Sequence, residues 1–199
     1  KLTDALAYIN ANGLNGPAFL ELQSNYTSAT ETYPITFRSN ACIGSVNSLT
    51  IRPAASVVST LIISPTGGKD TAAIRFDGGQ YVTIDGRPGG VGTTKRLSIV
   101  NTLTTAISTV FFLNEASNNT VTFCDIQGAS VTSVSPTTSG VVFFGGTTGV
   151  NGNDNNTISS CDIHSAGAAL PAIGIGANNA TTAGSAANND GNIITGCNI

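Results

Sequence analysis

The fold is decided by an eight-residue segment that occurs three times, as Asn119-Thr-Val-Thr-Phe-Cys-Asp-Ile126, Asn156-Thr-Ile-Ser-Ser-Cys-Asp-Ile163 and Asn192-Ile-Ile-Thr-Gly-Cys-Asn-Ile199. The copies align without gaps, and they begin 37 and then 36 residues apart. A repeat of this period indicates a solenoid, in which each repeat forms one coil and buries its apolar side against its neighbours.

Residue types alternate within each copy in a way that predicts two short strands joined by a bend. The third position points inward, the fifth forms the bend, and the sixth and eighth point inward on the next strand. The third position is Val121, Ile158 and Ile194 in the three copies, and the fifth is Phe123, Ser160 and Gly196. The sixth position is Cys124, Cys161 and Cys197, and the eighth is Ile126, Ile163 and Ile199. The seventh residues, Asp125, Asp162 and Asn198, are expected to stack on the outside.

A second class of short apolar runs lies between these segments, at 74–76, 110–112, 142–144 and 173–175, with starts 36, 32 and 31 residues apart. Gly and Asn interrupt the chain every few residues, and helical periodicity is absent there. Earlier runs at 19–22, 35–37, 49–51 and 61–63 are predicted to be the first strands. The variable spacing falls in polar tracts that we interpret as loops leaving the coils.

These patterns predict an all-β fold, a right-handed parallel β-helix (solenoid) with a short N-terminal capping helix. Thr3 is predicted to cap a helix over Asp4–Asn12 that ends at Gly13 and turns Leu6 and Ile9 inward. We expect residues 1–45 to form the cap and first strands, and residues 46–199 to form the coils, which should continue beyond Ile199 because it occupies a core position. A β-propeller, with blades of about 40–45 residues, is the alternative, but the cysteine spacing favours coils.

The composition is poor in charge and rich in turn-forming residues. Only 10% of residues are charged, 23 are Gly, and the net charge is −3. No basic stripe exists for nucleic acid or for an anionic membrane, and no apolar run reaches the ~18 residues of a membrane span. The four cysteines include no C-x-x-C pair and His164 is the only histidine, so a zinc site is not supported.

Several phrases, taken in order along nearly the whole chain, are similar to one family. They are LTDALAYIN (2–10), SLTIRPAA (48–55), QYVTIDG (80–86), LSIVNT (97–102) and NNTxxxCDI (118–126 and 155–163). The chain resembles large secreted β-helix surface proteins of gliding, type IX-secreting bacteria. The resemblance implies export across the outer membrane, contact with the secretion and surface-attachment machinery, and a place at the cell surface as an adhesin or structural protein. It supplies no catalytic residues.

Two groups of residues are candidate sites. Cys124, Cys161 and Cys197 should form a ladder, which can be an inert part of the core, contain one disulfide, or have a metal or redox role. Parallel β-helices often host polysaccharide-active enzymes with clustered acids and bases. An alternative polysaccharide site would therefore use Asp77, Asp85, Arg87 and Arg96, with Lys95 beside them. Asp85-Gly86-Arg87-Pro88 also has the composition of an ordinary turn.

Two weaker candidates remain. His164, with Gln127 as its equivalent in the preceding repeat, is expected to be a solvated side chain. Asn151–Asn156 could offer oxygen ligands to calcium, but it lacks the acids of an EF-hand and is better explained as a turn. We expect no cofactor and no catalytic residue.

Two functions stay open at this point. One is a structural or adhesive surface protein. The other is a polysaccharide-binding or polysaccharide-degrading β-helix, with lyase-like or hydrolase-like chemistry. Four Tyr and no Trp supply few platforms for sugar stacking, which favours the first.

Overall fold

The computed structural model describes residues 1–65, 71–131, 139–147, 149–178 and 186–199. In these residues one α-helix precedes fifteen short strands, and two 3-10 helices lie at Ser28–Thr30 and Pro88–Gly90. The elements are α1 (Leu2–Asn12), β1 (Ala18–Leu22), β2 (Ile35–Arg38), β3 (Leu49–Pro53), β4 (Leu61–Ile63), β5 (Ile74–Asp77), β6 (Val82–Asp85), β7 (Leu97–Asn101), β8 (Val110–Leu113), β9 (Thr120–Thr122), β10 (Asp125–Gly128), β11 (Val142–Phe144), β12 (Thr157–Ser159), β13 (Asp162–Ser165), β14 (Ile175–Ala177) and β15 (Ile193–Thr195).

The strands form three parallel sheets, and the chain visits each sheet once per coil. The first sheet has the order β1-β3-β6-β9-β12-β15, the second β4-β7-β10-β13, and the third β2-β5-β8-β11-β14. Four complete coils run from β3 to β14, with β1 and β2 below them and β15 above. The predicted β-solenoid is therefore confirmed.

The repeated segment occupies the corner where the first sheet passes into the second. Val121 pairs with Ile84 and Ile158, and Ile126 pairs with Ile99 and Ile163. The bends predicted at the fifth position are confirmed, because Phe123, Ser160 and Gly196 have φ angles of 50°, 53° and 61°. A left-handed residue turns the chain sharply enough for only one further residue to separate the two strands.

Helix α1 covers the first coil, as predicted, with Leu2, Leu6 and Ile9 buried. Its start was predicted wrongly: the helix begins at Leu2, and Thr3 lies inside it. The first backbone N–H groups are instead bound by the Glu31 carboxylate, at 2.6 Å from the Leu2 nitrogen and 2.9 Å from the Thr3 nitrogen. Gly13 ends the helix with a φ of 73°, and its N–H donates to the carbonyl of Ile9.

Aromatic side chains stack through the core beneath the third sheet. The rings of Phe37, Phe76, Phe112 and Phe144 lie at centroid distances of 5.0, 4.5 and 4.7 Å from one to the next. Such stacks form because equivalent residues of parallel coils repeat at the strand spacing of about 4.8 Å.

Two further details differ from the sequence predictions. The strand predicted at 173–175 is β14, which starts two residues later, with Ile175 opposite Val142. A shift of two residues keeps the same faces inward, so alternation alone does not distinguish the two registers. In the third copy of the segment Ile194 is 46% exposed and Ile199 is 71% exposed, whereas Val121, Ile158, Ile126 and Ile163 of the first two copies are buried.

Candidate functional site

A row of polar side chains lies on the outer face of the second sheet. Strand alternation places Ser98, Asp125 and Asp162 side by side on β7, β10 and β13, and it places Gln127 beside His164. Lys95 and Arg96 immediately precede β7. We call these seven residues the outer strip: Lys95, Arg96, Ser98, Asp125, Gln127, Asp162 and His164. The expected stacking of Asp125 on Asp162 is observed, and Asp162 forms a bridge to Asn198.

Asp125 is the centre of the strip's hydrogen bonds. One carboxylate oxygen accepts from Ser98 Oγ at 2.9 Å and from Gln127 Nε2 at 2.6 Å. The other lies 2.7 Å from His164 Nε2. His164 Nδ1 faces the carbonyl of Ser165 at 3.0 Å. Both ring nitrogens thus lie within hydrogen-bond distance of a neighbouring oxygen. His164 is half exposed, as predicted, but its ring is held by these contacts rather than free in solvent.

Two cations border the acids. Lys95 Nζ lies 2.7 Å from Asp162 Oδ1, reaching from the coil of β7 past the coil of β10 to that of β13. Arg96 is half-buried, and its backbone N–H donates to the carbonyl of Gly86. Among the ion pairs of the described residues, none includes Arg96.

Asp85 and Arg87, predicted as part of a polysaccharide site, form a closed pair at the corner next to the strip. The guanidinium binds both carboxylate oxygens, with Nη2 to Oδ2 at 2.8 Å and Nε to Oδ1 at 2.9 Å. The hydrogen bonds that the guanidinium donates to the Asp85 carboxylate raise the pKa of Arg87. The Arg87 side chain also lies 4.4 Å from the ring centroid of Phe123. The side chain of Asp85 is only 7% exposed, so this pair fixes the turn.

The structure does not bring Asp77 to this group. Asp77 ends β5 in the third sheet, whereas Asp85 ends β6 in the first sheet, so the strand β6 separates them. Asp77 is bound by Asn114 Nδ2 at 2.7 Å and lies 3.5 Å from Arg38. Of the four residues proposed from sequence, Asp85 and Arg87 touch each other, Arg96 belongs to the outer strip, and Asp77 lies at a different corner.

The cysteine ladder continues a column of leucines. The register of the second sheet places Leu61 beside Leu97, and Leu97 aligns with Cys124 and then Cys161. All four cysteines are free thiols; Cys124 and Cys161 are buried, and Cys197 is half-buried. The neighbouring Cys161 thiol and complete burial raise the pKa of Cys124 well above its usual range. A thiol in a leucine position, held protonated, behaves as a small apolar side chain.

Stacked asparagines hold the corner between the third and first sheets, and sequence reasoning missed them. Asn119 Oδ1 accepts from the Val82 N–H, Asn156 Oδ1 from the Asn119 N–H, and Asn192 Oδ1 from the Asn156 N–H. A second column pairs Asn153 with Asn189. The sequence does contain the repeat that predicts this stacking, because the asparagines of each column are 36 or 37 residues apart.

The segment considered for calcium contains members of both columns. Asn153 Oδ1 accepts from the Ala116 N–H, and Asn156 Oδ1 is occupied as described above. Asp154 Oδ1 accepts from the Asp190 N–H at 2.7 Å. Within the described residues, no three His, Cys, Asp or Glu side chains group in a way that could hold a metal ion.

Chemically, the outer strip is a rigid row of donors and acceptors rather than a poised acid and base. A general base needs a lone pair within hydrogen-bond reach of the substrate. Here the lone pairs of Asp125 and the nitrogens of His164 are engaged by neighbours. A cavity of about 360 Å³ lies elsewhere, beside the N-terminal part of α1 and the end of β1.

Helix α1 has eleven residues, and the described part of the chain holds no helix long and apolar enough to cross a membrane. Comparison of the chain with protein-family models, with curated proteins and with solved structures finds no match.

Proposed function

We propose that this chain is a structural or adhesive module of a secreted cell-surface protein, not a catalytic domain. The observation that carries the proposal is that four outward-facing carboxylates are each occupied by a neighbouring side chain. Asp162 with Lys95, Asp85 with Arg87 and Glu21 with Arg52 form ion pairs at distances of 2.7–2.8 Å, and Asp125 lies 2.7 Å from His164 Nε2. Cleavage of a glycosidic bond needs an acid and a base free to act on the substrate.

The architecture supports the same function. Stacked coils produce an extended surface on which identical backbone positions repeat at about 4.8 Å. Such a surface suits weak contacts repeated along a polymer, and many weak contacts together give strong attachment. Secretion through the type IX route is proposed from the sequence resemblance described above, together with contact with that machinery.

Polysaccharide degradation is the second candidate. It is favoured by the position of Asp125 and Asp162 on adjacent strands, with a histidine beside them. It is disfavoured by the hydrogen bonds that already occupy these groups.

The deciding experiment is incubation of the purified segment with acidic and neutral polysaccharides, with and without calcium. We expect no new reducing ends and no unsaturated products. Product formation that is lost in Asp125→Asn or Asp85→Asn would contradict the proposal and place the chain among the enzymes.

Adhesion is tested separately with beads that carry the folded segment. We expect these beads to be retained under flow on surfaces coated with cell-wall polysaccharide or extracellular protein, and beads that carry the heat-unfolded segment to be washed off. Equal retention of both would remove the support for a folded adhesive surface. Immunogold labelling of unpermeabilised source cells should place the protein outside; label confined to permeabilised cells would contradict secretion.

A further inference from the structure

A cavity of about 360 Å³ opens at the lower end of the solenoid, between helix α1 and strand β1. Its apolar wall consists of Leu2 and Ala5 from the helix and of Leu20 and Leu22 from the strand. The segment that follows β1, residues 23–30, supplies the polar part of the wall. Sites for small ligands have a volume of this order and combine an apolar floor with a few polar groups.

Tyr26 supplies the aromatic part of the wall. Its hydroxyl is buried, and burial together with the negative charge of Glu31 raises the pKa of Tyr26, so the phenol stays uncharged. Tyr26 and Thr27 also line a second cavity of about 260 Å³ on the other side of the same segment. The two cavities thus leave room for more than one sugar unit, and an aromatic ring is a surface on which the apolar face of a sugar packs.

The charged side chains that line the first cavity are paired with neighbours. Lys1 Nζ lies 3.5 Å from Asp4 Oδ1, and Glu21 Oε1 accepts hydrogen bonds from Arg52 at 2.8 and 3.0 Å. Neither side chain therefore offers a free charge to a ligand, and desolvation of these pairs by a charged ligand would be costly. The cavity favours an uncharged ligand.

Amide and hydroxyl groups form the rim of the cavity. The amide of Asn25 is exposed, and no hydrogen bond to the described part of the chain holds it. Thr27 Oγ1 accepts from the Ala29 N–H and keeps its own proton, whereas Thr30 Oγ1 donates to the Thr27 carbonyl and keeps its lone pairs. Together these groups both donate and accept, as neighbouring hydroxyl groups of a sugar require.

We propose that the cavity between α1 and β1 binds the end of a neutral polysaccharide, with a sugar ring against Tyr26 and its hydroxyl groups on Asn25, Thr27 and Thr30. This inference rests on the adhesive form of the proposed function and names its ligand class. It places the site away from the outer strip and uses none of the residues proposed from sequence.

The test is an NMR titration of the folded segment with three uncharged probes, cellohexaose, xylohexaose and maltohexaose, and with hexagalacturonate as the charged counterpart. We expect at least one neutral probe to bind with a Kd of about 1 mM or below. Its amide shift changes should concentrate in residues 1–5 and 20–30, and added salt should not weaken the binding, because no ion pair is formed with the ligand.

The first variant fills the cavity. Ala5→Leu adds a side chain to its helical wall and should weaken binding about tenfold, equivalent to about 1.4 kcal/mol. Ala11→Leu makes the same change at an exposed position of the same helix, outside the cavity, and should leave binding unchanged. Circular dichroism of each variant checks that the fold is kept.

The second variant removes one polar group of the rim. Asn25→Ala should weaken binding about fivefold, the loss expected for a single hydrogen bond. Asn15→Ala removes an amide from an exposed position outside the cavity and should have no such effect.

The outcomes separate this inference from the proposed function. Absence of binding by all three neutral probes, tighter binding of hexagalacturonate, or equal weakening by Ala5→Leu and Ala11→Leu would overturn the cavity as a site for neutral sugars. Equal bead retention of the unchanged segment and of Ala5→Leu would overturn it as the adhesive site while leaving the adhesive function in place. Failure of the folded, unchanged segment to be retained on any coated surface would contradict the adhesive function itself.

Discussion

Single asparagine side chains join neighbouring coils at the corner between the third and first sheets. The side chain of Asn119 accepts from the Val82 N–H and donates to the carbonyl of Gly79 at 2.8 Å, both within the buried interior. These backbone groups sit outside regular strand pairing, so the amide satisfies them where water is excluded.

Replacement of this amide should therefore be costly. Asn119→Ala leaves the Val82 N–H unpaired, which costs about 1–3 kcal/mol, whereas the Gly79 carbonyl keeps its hydrogen bond from the Ser117 N–H. We expect the free energy of unfolding in urea to fall by about 1–3 kcal/mol. Asn15→Ala, at an exposed position, should change it by less than about 0.5 kcal/mol. Similar values for the two variants would show that the asparagine column does not stabilise the corner.

The four cysteine thiols differ in burial, so their reactivity tests the position of each one. Cys42 is exposed, Cys197 is half-buried, and Cys124 and Cys161 are fully buried. Because the thiolate is the reactive form and burial hinders access, one thiol should react rapidly with Ellman's reagent in the native protein. Cys42→Ser should remove this fast phase. Cys124 and Cys161 should react only after unfolding; rapid reaction of three or four thiols in the native protein would contradict the ladder as a core element.

At the scale of elements, the cap of helix α1 comes from a residue distant in sequence. Glu31 binds the Leu2 and Thr3 N–H groups and the Thr3 hydroxyl while only 6% exposed. A carboxylate at a helix N-terminus both accepts these hydrogen bonds and complements the helix dipole.

Glu31→Gln keeps one acceptor oxygen but loses the charge and the second oxygen. We expect a loss of about 1 kcal/mol in the free energy of unfolding, within the range of cap substitutions, and faster amide exchange in the first turn of α1. Asp190→Asn removes one negative charge at an exposed position and is the control. Unchanged exchange in the first turn of Glu31→Gln would show that another group caps the helix.

The corner between the first and second sheets depends on Gly86. A Cβ at this residue would overlap the carbonyl oxygen of Phe123 in the next coil. Gly86→Ala should push the coils apart locally and cost about 1–3 kcal/mol or more. Gly44→Ala is the matched control, since a Cβ there meets no atom within 4 Å. Thermal unfolding of the two variants decides the point: equal midpoints would contradict close stacking at this corner.

Strand positions were predictable where the repeat is strict and ambiguous where it is not. The eight-residue segments align without gaps, so they predict the observed pairing of Val121 with Ile158 and of Ile126 with Ile163. Ile173 and Ile175 are the same residue type and lie on the same face of the strand. Only the pairing with the preceding coil shows that Ile175, and not Ile173, lies opposite Val142. The helix start was missed because Glu31 lies 28 residues beyond Thr3.

The candidate site was predictable only in part, for a related reason. Stacking of Asp125 on Asp162 follows directly from the repeat. The pairing of Lys95 with Asp162 bridges 67 residues and depends on the path of the chain between β6 and β7, which the repeat does not specify. Asp77 was grouped with Asp85 by closeness in sequence, yet the intervening corner and strand β6 separate them.

At the scale of the whole molecule, each of the four complete coils contributes one strand to each sheet, and the core of the described residues consists of columns of equivalent residues. One column contains leucines in the lower coils and cysteines in the upper coils, a second contains stacked phenylalanines, and a third contains asparagines. The second sheet presents the outer strip because its outward positions change from Ile62 and Val100 in the lower coils to Asp125, Gln127, Asp162 and His164 in the upper coils. Fold and proposed function therefore depend on one geometric fact, the stacking of coils in this register.

The most direct test of that register is a methyl NOE measurement on protein with labelled isoleucines. Ile99, Ile126 and Ile163 occupy one core column on β7, β10 and β13. Neighbouring strands lie about 4.8 Å apart and alternate ones about 10 Å apart. We expect cross-peaks between Ile99 and Ile126 and between Ile126 and Ile163, and none between Ile99 and Ile163. Absence of the two neighbouring cross-peaks, or a direct cross-peak between Ile99 and Ile163, would contradict the stacked-coil account.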